Sequence, residues 1–312
     1  MKVTLIGAAG GIGQSLSLLL KINLPVGCEL CLYDLNPSTP GIALDLSHIP
    51  NKVKVTGYSG SDSLISALEN SDIVIITAGI ARKPGMERSD LFNANANLIR
   101  NLMSSAAHSC PNACFCLITN PLNSLVPLAA TVLKQSGVYN PRKLFGVTSL
   151  DIIRAESILS QYLQRDIMPG EIQVIGGHSG QTIQPLISRV SGHDLDESEI
   201  RSLTQQIQDC GTTVVKAKAG YGSATLAMAS AGMRFISSLI RGLKGEENIV
   251  ECAYVEGGSP YSKFFSQPLR LGKHGWSEAI DPAPFDAQQQ RALDAMLPSL
   301  REEIALGEKF CG

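Results

Sequence analysis

Five residues far apart in the chain carry the clearest chemistry: Arg82, Arg88, Asp151, Arg154 and His178. Histidine exchanges a proton near neutrality, because its ordinary pKa lies there. An aspartate beside it can fix the ring tautomer and stabilise the imidazolium that forms. Arginine suits carboxylates, since its planar fork donates two parallel hydrogen bonds. Three arginines with one Asp–His couple therefore suit a small dicarboxylate whose hydroxyl must lose a proton. Asp151 and Arg154 lie in LDIIRAE, one helical turn apart, and so project from one face. His178 lies in GGHSG, a glycine turn after a strand pattern, free to face a cleft. A lone histidine is more often a core residue. The Asp and Arg that share a helical face change that reading.

The chain opens KVTLIGAAGGIGQS, with Gly7, Gly10 and Gly13 between a strand pattern and a helix pattern. Such a turn lets backbone N–H groups approach a pyrophosphate at a helix N-terminus. Gly7, Ala8, Ala9, Gly10, Gly11, Ile12 and Gly13 are thus candidate cofactor contacts. Asp34 ends the second strand pattern, at roughly the 20-residue spacing where a carboxylate accepts both ribose hydroxyls. That charge would repel a 2′-phosphate, which favours NAD over NADP. A bound dinucleotide with an acid–base pair implies hydride transfer at a 2-hydroxy acid.

The stretch ITAGIARKPGMERSD, residues 76–90, carries Arg82, Lys83 and Arg88 away from the fourth strand pattern. It leaves at the carboxyl edge, where such sheets bind ligands. A solvated basic loop would look similar, but two arginines beside a cofactor turn favour carboxylate binding. In ITNPLN, residues 118–123, Asn120 can bond a substrate or the nicotinamide ribose. It can equally be a helix cap ahead of an N1 proline. Both readings stay open, and the Asn120–Pro121 bond is a candidate cis peptide.

Elements must position these residues. Short apolar runs at 2–8, 28–34, 53–58, 72–78, 113–120 and 144–148 alternate with helical patterns at 11–22, 41–48, 62–70, 90–108 and 122–136. Repeated strand–helix units with strands apolar on both faces predict an α/β, doubly wound parallel (Rossmann) sheet. After residue 148 the pattern changes. Helices are predicted at 151–163, 197–217 and 223–242, a strand at 171–176, hairpin strands at 251–255 and 266–272, and a long amphipathic helix at 285–310. Residues 276–285 read as a surface loop. The expectation is an NAD-binding Rossmann domain over 1–148 and an α+β catalytic domain over 149–312, with a cleft between them.

The composition, 44% hydrophobic and 17% charged over 312 residues, supports buried cores rather than disorder. A net charge of -2 provides no field for nucleic acid or an anionic membrane, so anion recognition must be local. No apolar run reaches the roughly 18 residues of a membrane helix. The first residues enter a strand pattern at once, leaving no room for a leader, so a cytoplasmic protein is expected. Eight cysteines include a C-x-x-C at Cys28 and Cys31 and a cluster at Cys110, Cys114 and Cys116. They sit in or beside apolar strand patterns with no histidine at zinc spacing, so reduced thiols and no metal are expected.

The motifs GAAGGIG, LYD, GIARKPGMERSDLFNANA, ITNPLNS, LFGVTSLDIIRA, VIGGHSGQTI, KAGYGSATLAM, ECAYVEG and IALGEKF together carry a family resemblance that runs essentially end to end. The chain resembles the lactate/malate dehydrogenase superfamily, and within it the NAD-dependent malate dehydrogenases of bacterial and mitochondrial type. The resemblance implies reversible oxidation of (S)-malate to oxaloacetate, with His178 as proton acceptor and Asp151 as its partner. It implies that Arg82 and Arg88 meet the substrate from their loop, that Arg154 grips the carboxylate next to the reacting carbon, and that Asn120 assists. NAD would be held by residues 7–13, Asp34, Asn95, Ile118, Thr119 and Asn120, with Met228 near the nicotinamide. A homodimer is implied, using helices around 41–48 and 151–163. Ala94 and Tyr221 depart from the family's usual choices, and Tyr221 is expected to narrow the site slightly.

Three alternatives compete. A lactate dehydrogenase would share the relay but lack the Arg82 cation for a second carboxylate. An NAD-dependent glycosidase would want a metal ligand set, which the surroundings of Asn120 and Asp151 do not supply. A non-catalytic NAD sensor would not need the complete constellation.

Overall fold

The computed structural model describes residues 1–80, 88–190, 192 and 194–310, with only the backbone of 88 and 89. Arg82 and Lys83 lie outside the described residues, as does the side chain of Arg88. The N-terminal half runs β1 (Lys2–Ile6), α1 (Gly11–Asn23), β2 (Glu29–Asp34), α2 (Thr39–Ser47), β3 (Lys54–Ser59), α3 (Leu64–Leu68), β4 (Ile73–Ile76), α4 (Arg88–Ser109), β5 (Cys114–Leu117), α5 (Leu122–Gln135) and β6 (Leu144–Gly146). Its strands are parallel, in the order β3-β2-β1-β4-β5-β6. Alternate side chains enter different layers, as strand geometry requires. Ile73 and Ile75 of β4 pack with α1 and α8 (Leu226–Leu243), while Val74 and Ile76 pack with α4 and α5. Burial on both faces explains the continuous apolar runs.

The C-terminal half adds α6 (Ser149–Leu163), β7 (Val174–Gly176), β8 (Ile183–Pro185), α7 (Glu197–Ala217), then α8, β9 (Ile249–Glu256), β10 (Phe264–Gly272), β11 (Gly275–Ala279) and α9 (Ala287–Lys309). Its strands pair antiparallel, and β9 meets β6 at Tyr254 and Gly146. One mixed sheet therefore runs through both halves. Helices α7 and α9 start at side-chain caps. Asp196 with Glu199, and Asp286 with Gln289, each form a reciprocal pair that satisfies first-turn N–H groups.

Three expectations need correction. Residues 276–285 are not all loop, because Gly275–Ala279 forms β11 against β10. Trp276 drives this: its ring is buried and its indole N–H donates to the Pro141 carbonyl at 2.9 Å. The helix expected at 62–70 is a 3-10 turn, Ser61–Ser63, followed by the short α3. The strand expected at 171–176 is confined to Val174–Gly176, and its partner β8 was not foreseen. Among the described residues no helix is long and apolar enough to cross a membrane.

Candidate active site

Parallel register decides where one end of the site lies. Ile6 pairs with Tyr33 and Ile76, and Ile76 with Leu117. The chain therefore leaves β1, β2, β4 and β5 along one edge. Strand order reverses between β1 and β4, and the crevice at such a reversal is where ligands sit. There Gly7 has φ +90°, and the N–H groups of Gly7 and Ala8 both donate to Tyr33 O. A Cβ on Gly13 would stand 2.0 Å from the Gly7 carbonyl oxygen, so only glycine lets α1 begin against the turn. The N-cap of α1, Gly10, has no side chain to bond the first-turn N–H groups, which leaves them for an anion. Asp34 accepts from Ala9 N at 3.0 Å through Oδ2 and from Asn36 N at 3.0 Å through Oδ1. Each oxygen keeps a second lone pair for a hydroxyl. Turn, uncapped helix end and fixed carboxylate fit a dinucleotide.

The neighbouring loops are tied together from behind. Asn95 is fully buried; its Oδ1 accepts from Ile80 N at 2.8 Å and its Nδ2 donates to Asn120 O at 2.8 Å. Its amide thus braces the loops that leave β4 and β5. Thr119 Oγ1 donates to Ala78 O at 2.8 Å, and Ile118 packs in the core. The Asn120–Pro121 peptide is cis. The exposed Asn120 accepts from Leu122 N at 3.2 Å, but the N-cap of α5 is Pro121 and its first residue Leu122, so Asn120 is not a cap ahead of an N1 proline. Met228 is buried on α8.

At the other end Asp151, the third residue of α6, is completely buried. Its Oδ2 lies 2.5 Å from His178 Nδ1 and its Oδ1 3.6 Å from Arg154 Nη1. A carboxylate only accepts, so Nδ1 carries a proton, and in the neutral ring Nε2 presents the lone pair. Any proton taken from a ligand must enter through Nε2. Among the described residues Asp151 Oδ1 accepts no hydrogen bond although it is buried. Arg154 donates none there either, and a guanidinium fork with donors to spare is the chemistry that can take a carboxylate. Cys210 on α7 also feels Arg154, but burial dominates and pushes its thiol up, away from nucleophile chemistry.

The structure thus brings Asp151, Arg154 and His178 together, and gathers the 7–13 turn with Asp34. Tyr221 stands 91% exposed in a turn between two positive-φ glycines, so it does not narrow an enclosed site. Sequence reasoning missed Asn123, whose Oδ1 accepts from His178 N at 2.8 Å. Its only signal was a second asparagine in ITNPLN. Glu303, which contacts Asn123, offered none.

Residues 1–146 match the family model for the lactate/malate dehydrogenase NAD binding domain, and residues 148–311 that for the lactate/malate dehydrogenase alpha/beta C-terminal domain. The chain belongs to the lactate/malate dehydrogenase family. A relative named malate dehydrogenase from Edwardsiella ictaluri is 57% identical over 310 residues, covering 99% of each chain. Another from Histophilus somni is 55% identical at the same coverage. The crystal structure of Cryptosporidium parvum malate dehydrogenase has a TM-score of 0.81, with 27% identity and 99% of each chain covered. As a lactate/malate dehydrogenase family member, the chain is an NAD-dependent oxidoreductase.

Proposed function

We propose that the chain reversibly oxidises (S)-malate to oxaloacetate, with His178 and Asp151 as its proton relay. One observation carries this reading: a single buried carboxylate, Asp151, lies against both the His178 imidazole and the Arg154 guanidinium. That places a base and a carboxylate receptor side by side, as a 2-hydroxy acid requires. NAD, when bound, supplies the hydride acceptor. His178 Nε2 takes the C2 hydroxyl proton, and Asp151 stabilises the imidazolium through Nδ1–H. In the reverse direction the protonated ring donates to the ketone oxygen. Arg154 holds the carboxylate next to the reacting carbon, and Asn120 assists. Arg82 takes the remote carboxylate and Arg88 supports it, an assignment that rests on sequence alone. Relatives named malate dehydrogenase at 55% and 57% identity support the dicarboxylate over lactate.

The same reading assigns the cofactor to residues 1–148 and catalysis to 149–312, supported by the two family matches. It makes the protein a cytoplasmic homodimer. Exposed Leu18 and Ile22, one turn apart on α1, and exposed Leu44 on α2 favour a protein partner there. The deciding assay follows NADH absorbance with oxaloacetate and with pyruvate, for wild type and Arg82→Gln. Wild type should strongly prefer oxaloacetate. Breaking a desolvated charge pair costs about 2–5 kcal/mol, so the variant should lose most oxaloacetate kcat/KM. Its pyruvate activity should hold or rise, because no unpaired charge is then buried. An unchanged substrate ratio would remove Arg82 from the specificity role.

A further inference from the structure

Asn123, the second residue of α5, is buried. Its neighbours leave its amide one orientation. The His178 backbone N–H can only donate, and it meets Oδ1 at 2.8 Å. The Glu303 carboxylate can only accept, and it meets Nδ2 at 2.5 Å. Turning the amide over would set donor against donor and oxygen against carboxylate. Ser179 Oγ completes the cluster: it receives from Nδ2 at 3.0 Å and donates to Glu303 Oε2 at 2.8 Å. The backbone of the histidine turn lies directly on this amide, since a Cβ at Gly177 would stand 2.6 Å from Nδ2.

Glu303 comes from the last helix, one turn before Gly307. A Cβ at Gly307 would stand 1.9 Å from the Ser124 carbonyl oxygen. Glycine there lets α9 press on the first turn of α5 and brings Glu303 to Asn123. His178 is consequently held at two points: its backbone by Asn123 and its ring by Asp151. With both ends fixed, the direction of Nε2 is fixed.

We propose that Asn123 and Glu303 are positioning residues for the proton relay: Asn123 sets the backbone at His178, and Glu303 sets the polarity of Asn123. The proposal rests on the reading of His178 as proton acceptor. Asn123→Asp keeps an oxygen for the His178 N–H but turns a second oxygen toward Glu303. A misplacement near 1 Å costs about 10²-fold in rate, so its kcat should fall by about that factor, with KM and NADH affinity within about twofold. Glu303→Gln alone can still accept from Asn123 and should lose less than about 10-fold. The double variant restores a donor–acceptor pair of reversed polarity, and its kcat should return to within about fivefold of wild type.

Imidazole NMR of the five histidines, with His178 assigned by substitution, reads the same clamp without catalysis. The His178 ring signals should shift in Asn123→Asp and return in the double variant. If the aspartate variant does not fold, Asn123→Ser removes the contacts without adding charge and should show the same loss of kcat. A double variant no faster than Asn123→Asp, or Asn123 variants with wild-type kcat and ring signals, would overturn the proposal. Wild type that leaves NADH unoxidised with oxaloacetate would instead overturn the proposed function, while the ring signals still judge the clamp.

Discussion

Burial gives Asp151 two tasks that a surface carboxylate could not combine. It holds the His178 tautomer through Oδ2 and faces Arg154 with Oδ1, with no water-exposed surface of its own. His178→Ala should therefore abolish turnover while NADH fluorescence titration gives an unchanged Kd, because the dinucleotide turn lies at another edge of the site. Asp151→Asn preserves shape but no longer stabilises the imidazolium, so kcat should drop about 10²–10⁴-fold, the span general acid–base catalysis supplies. Near wild-type turnover in either variant would remove the relay. The proposed role of Asp34 in cofactor choice is local in the same way. Two backbone N–H groups pin its carboxylate beside the turn, so NAD should far outperform NADP. Asp34→Ser with a nearby added arginine should move the preference toward NADP, and equal wild-type rates with both cofactors would refute the assignment. Asp151 and Arg154 were legible because helical spacing alone puts them on one face. Asn123 and Glu303 were not, since their contact joins residues 180 positions apart.

At the scale of elements, legibility followed burial. β4 and β5 are apolar at every position because both faces are covered, and such runs announce themselves in any sequence. β11 does not. Its sequence GWSEA buries only Gly275 and Trp276, and it pairs among the described strands with β10 alone, across a register shift between Arg270 and Leu271. A polar, one-sided strand carries too little periodicity to separate it from a loop. The helix at 197–217 has the bounds expected of it, and the Asp196 cap is the physical reason it begins there. If Trp276 is what seats β11, Trp276→Ala should cost about 3 kcal/mol through the lost ring and the cavity left behind. Urea unfolding checks this, and an unshifted midpoint would make the tryptophan dispensable. kcat should be unaffected, since the strand contributes nothing to the histidine turn.

The whole molecule is one sheet from β3 to β8, and the proposed site draws on both of its halves: the turn and Asp34 from one, Asp151 and His178 from the other. The same core disposes of the cysteines. Cys28 and Cys31, three apart at β2, enter opposite layers, so the C-x-x-C spacing cannot close a bridge along a strand. The seven described cysteines are free thiols, and six are buried. Burial pushes Cys110 to about 11, Cys114 and Cys252 to about 12, and Cys116 well above its ordinary 9.0. The native thiols thus keep their protons after the unfolded chain has released its own. Their contribution to stability is complete below pH 9 and is lost as pH rises from there toward the folded values. Each such thiol removes about 1 kcal/mol of stability per pH unit in that window. Urea midpoints should therefore be flat from pH 7 to 8 and fall steeply from pH 9 to 10. Cys116→Ala should make that fall shallower by about one proton, because the slope counts the protons by which the two states differ. Wild type equally stable at pH 8 and pH 10 would mean that these thiols ionise as readily in the fold as outside it, and the buried-core account of the cysteines would fail.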